Sequence, residues 1–240
     1  MRIGVIGCGN IASAVVHGIA KDGHQFTVSE RSERYSKALS EAYSNVTVAS
    51  NQAVADASEI IFLGLLADRA PEVLGAIQFR EGQQIISFMA GATLNQADQL
   101  VLPAHAVALM MPFPGIAEGG SPIIVQGDAD LVRTVFGAHN SIFALSNSSE
   151  MAAYLCAQAT LSPVAQMLED AAQWLGERVQ DTDQGEAFLR ALVVSSLSNR
   201  KCADLIEALN TPGGYNQKLR VHMEANGMGA ALKVGLDGLE

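Results

Sequence analysis

A short apolar run, followed at once by a glycine-rich turn and a helical pattern, opens the chain and limits what it can fold into. Residues 3–6 are typical of a buried parallel strand, and Ile11, Val15 and Ile19 recur every four residues, as on one face of a helix. Between them lies Gly7-Cys8-Gly9-Asn10-Ile11-Ala12, which fits the pattern G-x-G-x-x-G/A. At a strand–helix junction this spacing predicts a dinucleotide-binding turn.

The small residues of this turn each have a physical role. Gly7 allows the tight turn, Gly9 has no Cβ to hold the backbone away from a pyrophosphate, and Ala12 lets the helix lie close to the strand. The helix N-terminus, at Asn10 and Ile11, offers N–H groups and a positive dipole end to phosphate oxygens. The alternative interpretation is a tight turn that binds no ligand.

The residues after the second predicted strand, 25–29, bear on which dinucleotide binds. Glu30 follows the glycines by about 20 residues, where an acidic side chain binds the ribose hydroxyls of NAD. Arg31, Ser32 and Arg34 instead suit the 2′-phosphate of NADP, because guanidinium and hydroxyl groups donate to phosphate oxygens. We therefore expect NADP, with NAD as the alternative. A solvated helix start with mixed charges would also produce this pattern.

Strand and helix patterns alternate through the first half of the chain. Further strands are predicted at Val46–Val48, Glu59–Leu66, Gln84–Met89 and Ala106–Met110, and short ones at Pro122–Val125 and Ile142–Leu145. Thr93 and Gln96 predict a capping box at the start of one intervening helix. This alternation predicts a doubly wound α/β sheet of the Rossmann type.

Strand signals end near Ser148, and the rest of the chain is helical in pattern. Helices are predicted over 151–175, 184–209 and 215–225, with a break at 211–214 (Thr-Pro-Gly-Gly). We therefore predict a dinucleotide-binding domain at 1–147 and an all-α dimerisation and substrate domain at 148–240. The helices are apolar on more than one face, which predicts a homodimer or a higher homo-oligomer built on dimers.

Composition argues against several classes of partner. The formal net charge is −10 with no run of Lys or Arg, which argues against nucleic acid and anionic membranes. No apolar run reaches the roughly 18 residues of a membrane span, and the first strand leaves no room for a signal peptide. Cys8, Cys156 and Cys202 are scattered, which predicts a reducing, cytoplasmic location and no metal site.

A set of motifs in a fixed order resembles the pyrroline-5-carboxylate reductase family. The motifs are the turn at 7–12, Ser50-Asn51-Gln52-Ala53, Ala57-Ser58-Glu59-Ile60-Ile61-Phe62, Ser87-Phe88-Met89-Ala90-Gly91-Ala92-Thr93-Leu94, Met111-Pro112 and Thr211-Pro212-Gly213-Gly214. The resemblance implies an N-terminal NAD(P)H domain and a C-terminal helical dimerisation domain, with the substrate held between them across the dimer.

The resemblance also implies site residues. Cofactor contacts would come from Gly9, Asn10, Ile11, Ala12, Arg31 and Asn51, and Leu65, Leu66, Ala90 and Gly91 would line the cofactor's path. The substrate pocket is expected where Met111, Pro112, Phe113 and Pro114 face Gly213, Gly214, Tyr215 and Asn216.

Departures from the family pattern fall mostly on the substrate side. The family has Asn-Thr-Pro where this chain has Phe113-Pro114, and threonines where it has Tyr215 and Asn216. The family's Lys-Pro after the fourth strand is replaced near 67–68. We therefore expect a pocket that is more apolar than that of a proline-forming enzyme.

The chemistry expected from these features is reduction of a C=N bond. A protonated imine is already electrophilic, so orientation in a water-poor cleft supplies most of the catalysis and no catalytic residue is assigned. A ketone acceptor would need a proton donor, for which Tyr215 and Asn216 are candidates. Two alternatives stay open: a dinucleotide sensor without turnover, and a related dehydrogenase of small hydroxy acids, for which Lys201 is the best-placed lysine.

Overall fold

The computed structural model describes residues 1–239, which divide into two compact units. The first unit is Met1–Met151 and the second begins at Ala152. This division falls a few residues after the predicted boundary at 147, inside a helix. The units are described separately.

The first unit is an eight-stranded sheet with helices on both faces. Its strands are β1 (Arg2–Ile6), β2 (Gln25–Ser29), β3 (Val46–Ala49), β4 (Ile60–Leu63), β5 (Gln84–Ser87), β6 (His105–Pro112), β7 (Pro122–Gly127) and β8 (Ser141–Leu145). Its helices are α1 (Asn10–Ile19), α2 (Glu33–Ala42), α3 (Asn51–Ala57), α4 (Ala70–Leu74), α5 (Leu94–Leu100), α6 (Ala129–Phe136) and α7 (Ser148–Ala157), of which α7 crosses the division.

The strand order is β3-β2-β1-β4-β5-β6-β7-β8, and the pairs from β3 to β6 are all parallel. This confirms the predicted doubly wound α/β fold. β7 pairs antiparallel with β6, and β8 is parallel to β7. The segment 113–121 is shorter than the roughly dozen residues that a parallel crossover requires, so the chain turns back on itself.

The core has two layers because side chains alternate across the sheet. On β4, Ile60 and Phe62 belong to the cluster under α1, α2 and α6, while Ile61 and Leu63 belong to the cluster under α3, α4 and α5. All four side chains are buried, as expected of a central parallel strand covered on both faces. Thr93 forms the predicted capping box with Gln96 at the start of α5.

The second unit consists of helices, as predicted, but its boundaries differ from the prediction. After a 3₁₀ turn at Gln158–Thr160 come α8 (Leu161–Gly176), α9 (Thr182–Leu197), α10 (Cys202–Ala208), α11 (Tyr215–Ala225) and α12 (Met228–Asp237). The predicted helical ranges 151–175 and 184–209 are helical but each is interrupted, at 158–160 and at 198–201. Pro163 has no N–H to extend the preceding helix and lies in the first turn of α8. The polar residues 198–200 favour local hydrogen bonds over a helix.

Helix α12 was not predicted, because Gly229 and Gly235 weaken its helical pattern. Within the described part of the second unit, only Gly185 is buried. Large apolar side chains such as Trp174 and Phe188 are exposed. Along residues 1–239, no helix is long and apolar enough to cross a membrane.

Candidate functional site

The turn after β1 is held tightly by the strands on either side. Gly7 has φ +86°, and a Cβ there would lie 2.7 Å from the carbonyl oxygen of Gly64. Its N–H donates to Oγ of the buried Ser29, at the end of β2, across 3.0 Å. The N–H of Gly9 donates to the carbonyl of Gly7 at 2.9 Å. The first glycine is therefore required both by its backbone conformation and by the close approach.

Gly9 meets open space rather than protein. It is the N-cap residue of α1, with φ −87° and no side-chain cap, and a Cβ there would have nothing within 4 Å. The N–H groups of the first turn, from Asn10 to Ala12, lie at the helix end that leaves donors without intrahelical partners. Open space in front of uncapped donors is what a pyrophosphate requires, so this turn fits the dinucleotide predicted for it.

A glycine that sequence reasoning missed completes the turn. A Cβ on Gly64, directly after β4, would overlap the carbonyl oxygen of Gly7 and lie 2.8 Å from Cβ of Ala12. The side chain of Leu65 packs on the same turn, since its Cδ2 lies 2.7 Å from the Cβ position of Gly7. The available signal was a glycine immediately after a strongly apolar strand.

The end of β2 places the predicted ribose-side residues together. Glu30 is exposed, and its N–H continues the ladder to the carbonyl of Ala49 at 3.1 Å. Ser32 is the N-cap residue of α2, yet its hydroxyl caps no N–H of that helix. Arg31 and Arg34 are exposed and form no ion pair with any residue of the described chain. Two guanidinium groups and an unused hydroxyl at a helix N-terminus fit a phosphate.

The remaining predicted cofactor residues follow neighbouring strands of the same parallel run. Asn51 begins α3 after β3, beside the capping Ser50. Leu66 is 73% exposed after β4, and Ala90 and Gly91 are exposed after β5. Because parallel strands end at the same edge, these segments gather along the edge that carries the glycine turn.

The loop after β6 carries the predicted substrate residues of the first unit. Met111 is buried, whereas Pro112 and Phe113 are half-buried. Pro114 begins a 3₁₀ turn, Pro114–Ala117, in which the N–H of Ile116 donates to the carbonyl of Phe113 at 2.9 Å. An aromatic side chain therefore lies at the end of β6 on a turn with a defined shape.

The second unit carries the other predicted substrate segment. Gly213, at φ +74°, donates its N–H to Oε1 of Gln217 at 2.7 Å, and Gly214 donates to the carbonyl of Thr211 at 2.9 Å. The N–H groups of both glycines are therefore used within the segment itself. Donors at the N-terminus of α11 begin at Tyr215, whose side chain is 93% exposed. Asn216 follows Tyr215 in the first turn of α11.

The thiol of Cys8, within the turn, is poorly reactive near neutral pH. Burial raises the pKa of Cys8 to about 11, so the thiol stays protonated near neutral pH and fills space in the core. Across residues 1–239, no group of three or more His, Cys, Asp or Glu side chains is arranged to hold a metal ion.

Comparisons with known proteins agree with this geometry. Residues 2–91 match the family model described as NADP oxidoreductase, coenzyme F420-dependent. The segment runs from β1 to the loop after β5, the part that holds the predicted cofactor residues. A search of curated proteins finds no match.

Solved structures share the fold at low identity. The 1-pyrroline-5-carboxylate reductase of Streptococcus pyogenes is 22% identical with a TM-score of 0.81, covering 100% of this chain and 96% of that one. The Plasmodium falciparum pyrroline carboxylate reductase with NADP bound is 17% identical with a TM-score of 0.82, covering 100% and 95%. A reductive aminase from Aspergillus terreus, in complex with NADPH and ethyl levulinate, is 22% identical with a TM-score of 0.60, covering 89% and 78%. The resemblance predicted from the motifs is confirmed as a shared fold.

Proposed function

We propose that this protein is an NAD(P)H-dependent reductase that acts on the C=N bond of a small cyclic imine. The observation that carries the proposal is the turn at Gly9, where uncapped helix donors face open space. The similarity of residues 2–91 to an NADP oxidoreductase family supports a redox use of that turn. The shared fold with pyrroline-5-carboxylate reductases and a reductive aminase supports C=N chemistry in particular.

NADP is the preferred cofactor in this proposal. The exposed Arg31 and Arg34 and the hydroxyl of Ser32 lie at the start of α2, where the 2′-phosphate would be held, and neither arginine is in an ion pair within residues 1–239. Glu30 opposes that choice, because a carboxylate beside a phosphate is repelled. When bound, the reduced nicotinamide supplies a hydride. The protein's own residues orient the two reactants and exclude water.

The substrate is proposed to be less polar than pyrroline-5-carboxylate. The loop after β6 presents Phe113 where the resembled family has a polar residue, and Met111 and Ile116 beside it are buried. In an apolar cleft, hydride transfer to a protonated imine requires positioning more than a catalytic acid. Tyr215 and Asn216, in the second unit, stay the candidate substrate residues of that unit.

The active assembly is proposed to be a homodimer formed through the second unit. That unit exposes Trp174, Phe188 and Val234, and it contains an apolar groove of about 710 Å³ between α8, α11 and α12. A small helical unit with this much exposed apolar surface requires a partner to cover it. A second copy of the same surface satisfies the requirement with two-fold symmetry.

A second candidate function is cofactor sensing without turnover. It is favoured by the side chains at the substrate positions, because Phe113 and the exposed Tyr215 provide few groups to hold a carboxylate. In that case the dinucleotide turn would be kept while the reaction is lost. The two candidates differ in one observable, which is saturable oxidation of NADPH by an imine.

The deciding experiment is a turnover assay of the full-length protein. NADPH and NADH are each tested with pyrroline-5-carboxylate and with bulkier, less polar cyclic imines, and loss of the reduced nicotinamide is followed by absorbance. We expect saturable turnover of the apolar imines and weak turnover of pyrroline-5-carboxylate. Phe113→Asn should shift the preference toward pyrroline-5-carboxylate. Gly9→Val, which should not bind the cofactor, serves as the negative control.

The possible outcomes separate the candidates. Tight NADPH binding without turnover of any imine supports the sensor. Efficient turnover of pyrroline-5-carboxylate, unaffected by Phe113→Asn, contradicts the proposed apolar pocket.

A further inference from the structure

The 3₁₀ turn that follows Phe113 packs on α1 at a single glycine. A Cβ on Gly18 would overlap the carbonyl oxygen of Ile116 and lie 3.2 Å from the carbonyl carbon. The obstructing atoms belong to the backbone, so no side-chain rotation can relieve the overlap. Ile116 itself is fully buried, in the same core cluster as Val15 and Ile19 of α1. The turn is therefore seated on α1 at a position that only glycine permits.

Hydrogen bonds also hold the loop between β6 and β7 near its two ends, at Phe113 and at Gly120. At one end, the N–H of Ile116 donates to the carbonyl of Phe113 at 2.9 Å, so a displaced Ile116 displaces Phe113. At the other end, the N–H of Gly120 donates to the carbonyl of His139 at 2.6 Å. Nε2 of His139 lies 3.1 Å from Oδ1 of Asp22, just beyond α1. The loop between β6 and β7 is thus held by Gly18 of α1 and, through His139, by Asp22 just after α1.

We infer that Gly18 is a positioning residue that sets the depth of Phe113 in the substrate pocket; this inference rests on the proposed function. The N-terminus of α1 faces the cofactor position, and its C-terminal half holds the loop with Phe113. One rigid helix therefore fixes the cofactor position and the position of Phe113 relative to each other. A side chain at position 18 pushes Ile116 away from α1 and moves Phe113 with it, while the dinucleotide turn stays in place.

The kinetic test uses Gly18→Ala in the full-length protein. Since a misplacement of about 1 Å can reduce a rate about a hundredfold, we expect kcat/KM for the preferred apolar imine to fall roughly ten- to a hundredfold, mainly through kcat. The affinity for NADPH, measured by calorimetry, should not change, and the ratio between large and small imines should. His17→Ala is the matched control, because it removes the 2.9 Å hydrogen bond between Nδ1 of His17 and the hydroxyl of Tyr43 and adds no atom toward the loop.

A second variant covers the case in which Gly18→Ala does not fold. Asp22→Asn weakens the contact with His139 at the Gly120 end of the loop and adds no steric overlap. The ratio of activities on large and small imines should change in the same direction as in Gly18→Ala, by a smaller factor. An equal loss of activity on all imines, with NADPH affinity lowered in parallel, would indicate a general structural role and overturn the inference.

The structural test does not depend on turnover. The protein is labelled with 4-fluorophenylalanine, and the fluorine resonance of Phe113 is assigned by its absence in Phe113→Leu. We expect this resonance to shift in Gly18→Ala and to stay in place in His17→Ala. An unmoved resonance in Gly18→Ala overturns the inference even if the proposed reductase activity is found. A moved resonance in a protein that reduces no imine supports the positioning of Phe113 and contradicts the proposed function alone.

Discussion

The backbone N–H of Gly7 donates to Oγ of Ser29 across 3.0 Å, which joins the dinucleotide turn to the end of β2. Because Ser29 directly precedes Glu30 and Arg31, this hydrogen bond connects the proposed pyrophosphate and ribose ends of the site. Ser29→Ala leaves the partly buried N–H of Gly7 without its acceptor, which costs up to about 1–3 kcal/mol of unfolding free energy. We also expect the affinities for NADPH and NADH to fall by the same factor in calorimetric titration.

The half-buried Ser40, whose hydroxyl donates to the carbonyl of Lys37 in a solvent-exposed hydrogen bond, provides the control for that change. Ser40→Ala should leave both affinities as they are. If Ser29→Ala lowers stability but both dinucleotides still bind with wild-type affinity, Ser29 supports the fold without shaping the site.

The two glycines of the turn, Gly7 and Gly9, should respond in opposite ways to substitution. At Gly9 the backbone is extended and a Cβ meets nothing within 4 Å, so Gly9→Val should fold with wild-type stability and lose dinucleotide binding. At Gly7 the left-handed backbone and the nearby carbonyl of Gly64 make Gly7→Ala destabilising, by about 1–3 kcal/mol for the backbone strain alone. Thermal unfolding and NADPH titration of both variants test this. If Gly9→Val binds NADPH with wild-type affinity, the turn is not part of the dinucleotide-binding site.

Arg31 should discriminate between the two dinucleotides. Loss of a charge-assisted hydrogen bond to the 2′-phosphate costs about 1.5–3 kcal/mol, or roughly ten- to a hundredfold in affinity. Arg31→Ala should therefore weaken NADPH binding by that factor and leave NADH binding nearly unchanged. Arg69→Ala, at an exposed arginine paired with Glu72, is the control. An equal loss for both dinucleotides would place Arg31 away from the phosphate, and a wild-type preference for NADH would assign the ribose to Glu30.

The exposed apolar surface of the second unit should determine the assembly. We expect a dimer in sedimentation equilibrium at micromolar concentration. Leu232→Asp, which puts a carboxylate into the apolar groove, should dissociate the dimer because a buried unpaired charge is costly. Leu102→Asp makes the same change at an exposed leucine of the first unit and should have no effect. A monomeric wild-type protein would contradict the proposal.

Stability should decrease in mild acid because of His24. Burial lowers the pKa of this imidazole below its usual 6.5, and its Nδ1 has no hydrogen-bond partner within the described chain. The unfolded chain therefore takes up a proton near pH 6.5 that the folded chain resists, so the stabilisation is complete above that pH and is lost as the pH falls through the lowered value. Chemical unfolding between neutral and mildly acidic pH measures the slope. His24→Leu should flatten it, and an unchanged slope in His24→Leu would exclude this histidine as the cause.

Features encoded by neighbouring residues were predictable, and those that depend on distant partners were not. The glycine turn at 7–12, the capping box from Thr93 to Gln96 and the buried β4 follow from spacing over a few residues, and the structure contains all three. The contacts of Gly64 with Gly7, and of Gly18 with Ile116, depend on how strands and helices meet across the fold. The apolar strand before Gly64 gives a weak local signal for the first contact, and no local pattern predicts the contact between Gly18, within α1, and Ile116.

The helical unit was the harder half to predict for the same reason. A helix covered by other helices shows one apolar face, but these helices are apolar around much of their circumference, so their ends carry weak signals. Pro163 and the polar residues 198–200 were the available breaks. The pairing of segment 111–114 with 213–216 also depends on distant partners, and it stays a prediction.

The strand order has a consequence for how the chain is made. β1 lies between β2 and β4, and Ile3 pairs with Ile60, so one edge of β1 has no partner until β4 has been synthesised. During that interval a nascent chain carries an apolar strand with unpaired N–H and carbonyl groups along one side, which is the kind of surface that chaperones cover and that aggregates recruit. The nucleotide turn attached to that strand cannot acquire its final shape earlier, since Gly64 follows β4. Binding of a dinucleotide at this turn therefore requires that synthesis of the first unit has passed Gly64.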